Sequence, residues 1–356
     1  MNRELIVFLS FCMLFVSYGN KSESEIEKDY SSGVVLVQNQ SYYEVVLSNG
    51  QSFYFSNFDD EEGIDGIAFE EDSVKTVTSY GTGFIVSADG LIATNAHVVS
   101  NMVADKDVNK SVGEVIDALK TIMATMYNSY DEKYKAAQQA YEYANYSSDV
   151  SYEDFYKIRD YKDAIEKERD EYASAYYGLD EIKASESEIK YHNIVSIAYN
   201  DTYVTNTADF ISCVVKKTDQ EHDIALIQLK DKKTPADKHI FELPEEDPLT
   251  AYSFMDKITS KVSDDKNDKL FMISYNLGPT LALTKDGIKS QFNNGTISQK
   301  TSNRIMYSIP ALPGSSGSPV LNRKGELVAI NFSGLNGTQN FNYGIRMKYL
   351  KSLMEE

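Results

Sequence analysis

The chain has 356 residues, 42% of them hydrophobic, and a formal net charge of −19 at pH 7. That length and apolar content suffice for one large globular domain or two modest ones. So acidic a chain excludes nucleic acid and anionic membrane surfaces as expected partners.

The opening residues, "MNRELIVFLSFCMLFVSYGN", put Arg3 ahead of an apolar run from Leu5 to Val16, with Ser17 and Gly19 as the small residues before a cut after position 19. This is the pattern of a secretion signal over 1–19. An uncleaved anchor is the rival, but about a dozen apolar residues fall short of the roughly 20 that a spanning helix needs. The processed chain, 20–356, is therefore expected to be periplasmic or secreted, without a stable membrane span. Of the two cysteines, Cys12 lies in the signal and Cys213 stands alone in "FISCVVKK". No intrachain disulfide forms, and Cys213 reads as a small buried hydrophobe on a strand.

From about 33 to 100 the pattern is strand-like: "GVVLVQ", "YYEVVLSNGQSFYFS" turning at Asn49-Gly50, "VKTVTSYGTGFIVS" and "LIATNAHVV". Between them, "NFDDEEGIDGIAFEED" at 57–72 has eight carboxylates without an ordered ligand spacing, so a solvated loop is expected rather than a calcium site. From about 111 to 185 the period changes. Leu119, Met123, Met126, Tyr130, Tyr134, Ala137, Tyr141 and Ala144 recur every three or four positions, as do Ile158, Tyr161, Ile165, Tyr172, Ala175, Leu179 and Ile182. Two amphipathic helices are predicted, folded back at "NYSSDVSYED" into a hairpin with the tyrosines in its seam. Strand character returns with "NIVSIAYNDTYV" and persists through "FISCVVKK", "DIALIQL", "KLFMISYNL", "RIMYSIP", "SPVLN" and "ELVAINFSG", before a short final helix. An all-β body split by one helical insertion, at about 108–187, is the result.

Four histidines limit the search for a general base. His192 and His239 have polar, unpatterned neighbours, and His222 precedes the stronger candidate acid Asp223. His97 stands at the end of an apolar strand among small residues that let its ring face a cleft. Asp223 opens the buried run "DIALIQL", where a sheltered carboxylate can hold an imidazole in one tautomer. The third element is "PGSSGSP", 313–319, whose glycines permit a tight turn with backbone NH groups converging beside a serine hydroxyl. The order His, Asp, Ser excludes the α/β-hydrolase arrangement, which runs Ser, acid, His.

Taken in sequence, "TGFIVSADGLIATNAHVV", "HDIALIQL" and "PGSSGSPVLN" resemble the three catalytic segments of chymotrypsin-like (trypsin-fold) serine proteases. They are most similar to the bacterial branch with the Do-type heat-shock proteases and the glutamyl endopeptidases. The resemblance implies a mainly β fold of two six-stranded antiparallel Greek-key β-barrels, here with the helical hairpin inserted. It implies a serine endopeptidase acting on proteins or peptides, with no cofactor and no metal. The family pattern G-x-S-G-x-P puts the nucleophile at Ser316, with His97 as base, Asp223 as its orienting acid, and the NH groups of Gly314 and Ser316 as the oxyanion hole. Ser315 occupies the position that is aspartate in the animal enzymes, so their activation switch is absent. By the family layout Pro310 lies near the floor of the specificity pocket, Asn331, Phe332 and Ser333 form the strand that pairs with substrate backbone, and Tyr343 and Gly344 lie on the wall. The hairpin is expected either to shade the cleft or to dock a protein partner. A protease-like binding protein that holds its partner uncleaved is the competing reading, and a complete triad argues against it.

Overall fold

A thirteen-residue strand, β1 (Val34–Val46), changes character halfway along. Its first six residues are all buried, and from Gln40 onward buried and partly exposed positions alternate. The inner half thus has both faces covered, and the outer half only one. The computed structural model describes residues 20–206, 209–249, 268–334 and 341–355. The signal expected at 1–19 lies outside them.

Strands β2 (Ser52–Phe55), β3 (Asn57–Asp59), β4 (Gly63–Asp65), β5 (Val77–Ile85) and β6 (Leu91–Thr94) follow β1, and β7 (Glu188–Tyr199), β8 (Ile211–Asp219) and β9 (Ile224–Leu229) come much later. The ring β1-β5-β6-β9-β8-β7 closes through a β1–β7 pairing, with β2 added at the other edge of β1. All six residues of β9 are buried, which is why "IALIQL" reads as a continuous apolar run. Val35, Val37, Ile85, Ile92, Ile197 and Ile227 fill this first barrel.

The second barrel is closed by β10 (Lys269–Ser274), β13 (Gln291–Lys300), β14 (Arg304–Tyr307), β17 (Asn342–Arg346), β16 (Leu327–Gly334) and β15 (Pro319–Asn322), in that order. Two short strands, β11 (Leu283–Thr284) and β12 (Gly287–Ile288), pair with each other. Leu36, Phe84 and Leu226 of the first barrel share one core with Phe271, Ile273, Leu321 and Ile330 of the second. Two helices complete that core. Helix α1 (Glu23–Tyr30) starts on a Ser22–Glu25 capping box and buries Ile26, and the C-terminal helix Met347–Glu355 buries Leu350 and Leu353. The architecture is thus the expected pair of six-stranded barrels with a helical insertion. The insertion is large enough to make helix (34%) and strand (33%) nearly equal among the described residues.

Tyr42–Val77 and Val103–His192 form a compact unit of their own. After a one-turn helix α2 (Ala96–Val99), the unit's two long helices are α3 (Asp105–Tyr146) and α4 (Tyr152–Asp180), the latter capped by Ser151, whose hydroxyl accepts from the Asp154 NH. The first turns of α3 bury Val108, Val112 and Ile116 against Tyr43, Val45, Phe53 and Phe55 of the β1–β2 ribbon. The sequence pattern marks this ribbon only as strand-like. Its outer half supplies the sheet face on which the hairpin is rooted, because a one-sided strand pair leaves an aromatic face that must be covered.

Beyond that root the hairpin seam is thin. Tyr130 meets Tyr172 at 5.3 Å and Tyr141 meets Phe155 at 5.5 Å, as the tyrosine period predicts. Arg169 lies 4.1 Å over the Tyr134 ring and Lys120 pairs with Asp180 at 2.9 Å. Tyr161, expected in the seam, is exposed, as are Tyr143, Tyr146 and Tyr152. Two helices offer each other only one stripe, so the surplus aromatics face water.

Stability should therefore depend on the root and not on the tip. Phe55→Ala, at a fully buried ring, should cost about 3–5 kcal/mol. Tyr146→Ala, at 88% exposure, should stay within about 0.5 kcal/mol. Urea melts of both variants measure the difference, and equal effects would refute the rooted-hairpin account.

Candidate active site

Strand β6 ends at Thr94, and the chain turns at once into α2, so His97 lies in a one-turn helix just past the strand. Asn95, fully buried, is the N-cap residue of that turn, and its Nδ2 donates to the carbonyl of Asp223 at 2.8 Å. Asp223 holds a left-handed backbone, φ 55°, immediately before β9. Aspartate tolerates that conformation better than most side chains. The turn aims its carboxylate at α2 twice over: Oδ1 accepts from the His97 backbone NH at 2.9 Å and Oδ2 lies 2.7 Å from His97 Nδ1. The His97 side chain is 38% exposed and that of Asp223 17%, so the ring stays open while its partner is sheltered.

Ser316 sits in the turn that precedes β15. Gly314 (φ 96°) and Gly317 (φ 87°) are both left-handed. A Cβ on Gly314 would stand 2.5 Å from the Tyr275 carbonyl, and one on Gly317 would overlap the carbonyl of Thr82 and the Oγ1 of Thr94. Only glycine meets both requirements at either position. This close approach seats the serine turn, which belongs to the second barrel, against β5 and β6 of the first. The Thr82 NH donates to the Ser316 carbonyl and its hydroxyl to the Gly314 carbonyl, both at 2.8 Å. Ser316 Oγ donates to the Phe332 carbonyl at 3.4 Å, and among the described residues it has no hydrogen bond to His97. Among those residues the NH groups of Gly314 and Ser316 have no acceptor either.

The expected substrate-binding residues divide. Phe332 and Tyr343 come together, ring centroids 6.2 Å apart, with the Arg304 guanidinium 4.6 Å over Phe332. Phe332 is the extra residue of a β-bulge, since Asn331 pairs with Gly344 and Ser333 with Tyr343. Pro310 is exposed. Asn331 departs from the expectation: its NH donates to the Ser318 carbonyl, its carbonyl accepts from the Gly317 NH, and its side chain is buried. With both backbone groups engaged inside the protein, it has none to offer a substrate strand. Gly344 likewise lies against Ala329 and Tyr307 within the barrel.

Residues 181–330 match the family model of the trypsin-like peptidase domain. The pair of barrels and this match agree with the fold that the motifs implied. The matched stretch is less than half of the chain and holds Asp223 and Ser316, while His97 precedes it, separated by the two long helices. No curated protein matches the chain. Among solved structures, a serine endoprotease from Yersinia pestis aligns with it at 12% identity and a TM-score of 0.44, over 95% of this chain and 66% of that one. The chain thus spans just under two thirds of that protein's length.

Several residues around the candidate site carry no motif. Thr82 looks in sequence like one of many strand threonines. Asn276, whose Oδ1 accepts from the Leu312 NH at 2.8 Å, and Asn342, whose Nδ2 donates to the Ile309 carbonyl at 2.6 Å, look like loop residues. The available signal was polarity inside otherwise apolar runs, which marks a buried group with a fixed partner. Cys213, as expected, is buried on β8, and burial pushes its thiol up to about 12, which removes it as a nucleophile.

Thr82→Val keeps the volume but leaves the Gly314 carbonyl and the Tyr275 NH, now bonded to the Thr82 hydroxyl, without partners. It should cost about 1–3 kcal/mol. Gly317→Ala should be far worse, with no soluble active enzyme recovered. Thermal melts and peptide turnover measure both; a Gly317→Ala enzyme with normal turnover would show that the close approach is not required.

Proposed function

We propose that the chain is an extracytoplasmic serine endopeptidase that uses His97, Asp223 and Ser316 through an acyl-enzyme. The observation that carries this reading is the placement of Asp223 on His97 Nδ1 at 2.7 Å. A carboxylate on that nitrogen keeps the proton there and leaves Nε2 as the acceptor, so the imidazole is poised as a base. Ser316 Oγ attacks the scissile carbonyl carbon while its proton passes to His97 Nε2. The carbonyl oxygen becomes an oxyanion that accepts from the NH groups of Gly314 and Ser316. The C–N bond then breaks, the proton on Nε2 goes to the leaving amine, and water hydrolyses the resulting ester by the same route in reverse. The Asp223 carboxylate stabilises the imidazolium in both halves. No step needs a metal or cofactor.

The Phe332–Tyr343 pair, with Arg304 over it, supports a specificity for uncharged side chains. Among the described residues, a lysine or arginine brought there faces the like charge of Arg304 and no ion-pairing carboxylate beside that ring pair, so its charge is left unpaired. Among the described residues no helix is long and apolar enough to cross a membrane, which is compatible with release after signal cleavage.

Labelling with a fluorophosphonate, followed by peptide mapping, should place the probe on Ser316 and not on Ser315 or Ser318. Ser316→Ala should lower kcat/KM by several orders of magnitude, and Asp223→Asn by about four, because it permits the wrong tautomer. Labelling at Ser315 or Ser318 would overturn the assignment. In a peptide library, cleavage after Lys or Arg should be at least about tenfold slower than after Ala, Val or Leu, a barrier difference of about 1.4 kcal/mol. Preferred cleavage after the basic residues would refute the specificity reading.

A further inference from the structure

Asn331 makes four hydrogen bonds to the serine turn. Its Nδ2 donates to the Ser315 carbonyl at 2.9 Å and to Ser315 Oγ at 3.2 Å, its NH donates to the Ser318 carbonyl at 2.9 Å, and its carbonyl accepts from the Gly317 NH at 2.8 Å. The side-chain amide has one orientation. The Ser315 carbonyl can only accept, so the nitrogen must face it, and the oxygen faces Tyr307, whose hydroxyl donates to Oδ1 at 2.7 Å. Ser315 Oγ passes its own proton to the Leu312 carbonyl at 2.7 Å. The result is a buried chain from Tyr307 through Asn331 to Ser315, ending one residue from each of the two free NH groups at Gly314 and Ser316.

Every link is neutral and buried. Asn331 is 2% exposed, Ser315 3% and Tyr307 fully enclosed, and burial raises the Tyr307 phenol well above its ordinary range. A peptide plane in a tight glycine turn can rotate with little steric resistance, and rotation of Pro313–Gly314 or Ser315–Ser316 would point an NH away from the hole. The Ser315 carbonyl belongs to the same peptide plane as the Ser316 NH. Fixing that carbonyl with Asn331 Nδ2 therefore fixes the direction of the NH.

We propose that Asn331 and Tyr307 are positioning residues that hold the Ser315–Ser316 peptide with its NH directed into the oxyanion hole. The role rests on the serine-peptidase reading above. It assigns Asn331 to transition-state stabilisation through the backbone, and not to substrate contact.

The test is steady-state kinetics on a short peptide with Tyr307→Phe and Asn331→Asp, together with inhibition by a peptide aldehyde, whose serine adduct places an oxygen in the hole. Tyr307→Phe should lower kcat about tenfold, leave KM within about twofold and weaken the aldehyde by the same factor as kcat. Asn331→Asp, which sets an acceptor against the Ser315 carbonyl, should lose about a hundredfold or more in both. If Asn331→Asp does not fold, Tyr307→Phe decides. A melting point that falls while kcat and aldehyde affinity hold would show a merely structural role, and a rise in KM alone would return Asn331 to substrate contact; either overturns the proposal. A wild-type chain with neither turnover nor Ser316 labelling overturns the peptidase reading and this role together. An active wild type whose variants keep full aldehyde affinity overturns the role alone.

Discussion

One threonine ties the two barrels beside the proposed active site. Thr82, on β5 of the first barrel, bonds the carbonyls of Gly314 and Ser316 and receives the Tyr275 NH, all three from the second barrel. A site built from a histidine on one barrel and a serine on the other exists only while the barrels keep their register. Three hydrogen bonds converging on one fully buried residue, two on its hydroxyl and one on its NH, set that register more sharply than apolar packing does, because each is lost within a small displacement. The glycine at 317 follows from the same constraint, since a Cβ there would meet Thr82 and Thr94 of the first barrel.

The polar groups around the site fall into two kinds. On the histidine side they are charged and partly wet: Asp223 faces His97, and Asn95 holds the Asp223 carbonyl. On the serine side they are neutral and dry, with Asn276, Asn331 and Asn342 each gripping a backbone group of the 309–318 loop or its neighbours. Such a division suits the two tasks. A proton carrier needs a counter-charge and access, whereas a hydrogen-bonding cradle needs donors whose direction does not change with protonation.

The helical insertion adds a second core without disturbing the first. A thirteen-residue β1 serves both units, its inner half buried in the barrel and its outer half presenting Tyr43 and Val45 to α3. The acidic stretch at 57–72 forms the β3–β4 ribbon and adjoining turns of that unit, with Gly63 close to Ser111 of α3. Its carboxylates stay at the surface, where they contribute to the charge of −19.

The sequence by itself determined what depends on local pattern. Strand alternation, the switch to a helical period near 111, the Ser151 cap and the order His97, Asp223, Ser316 all follow from spacing along the chain, and the structure has the barrels and helices where those patterns put them. Tertiary structure decided what depends on which face meets which neighbour. Asn331, just before a one-residue bulge at Phe332, is buried and bonded to the serine turn instead of joining the substrate strand, and no pattern in "AINFSG" announces that bulge. Likewise "YYEVVLSNGQSFYFS" is legible as a hairpin, but its attachment to α3 rests on Val108, Val112 and Ile116, more than fifty residues further along. Period and order are properties of consecutive residues; facing and contact are properties of distant segments brought together.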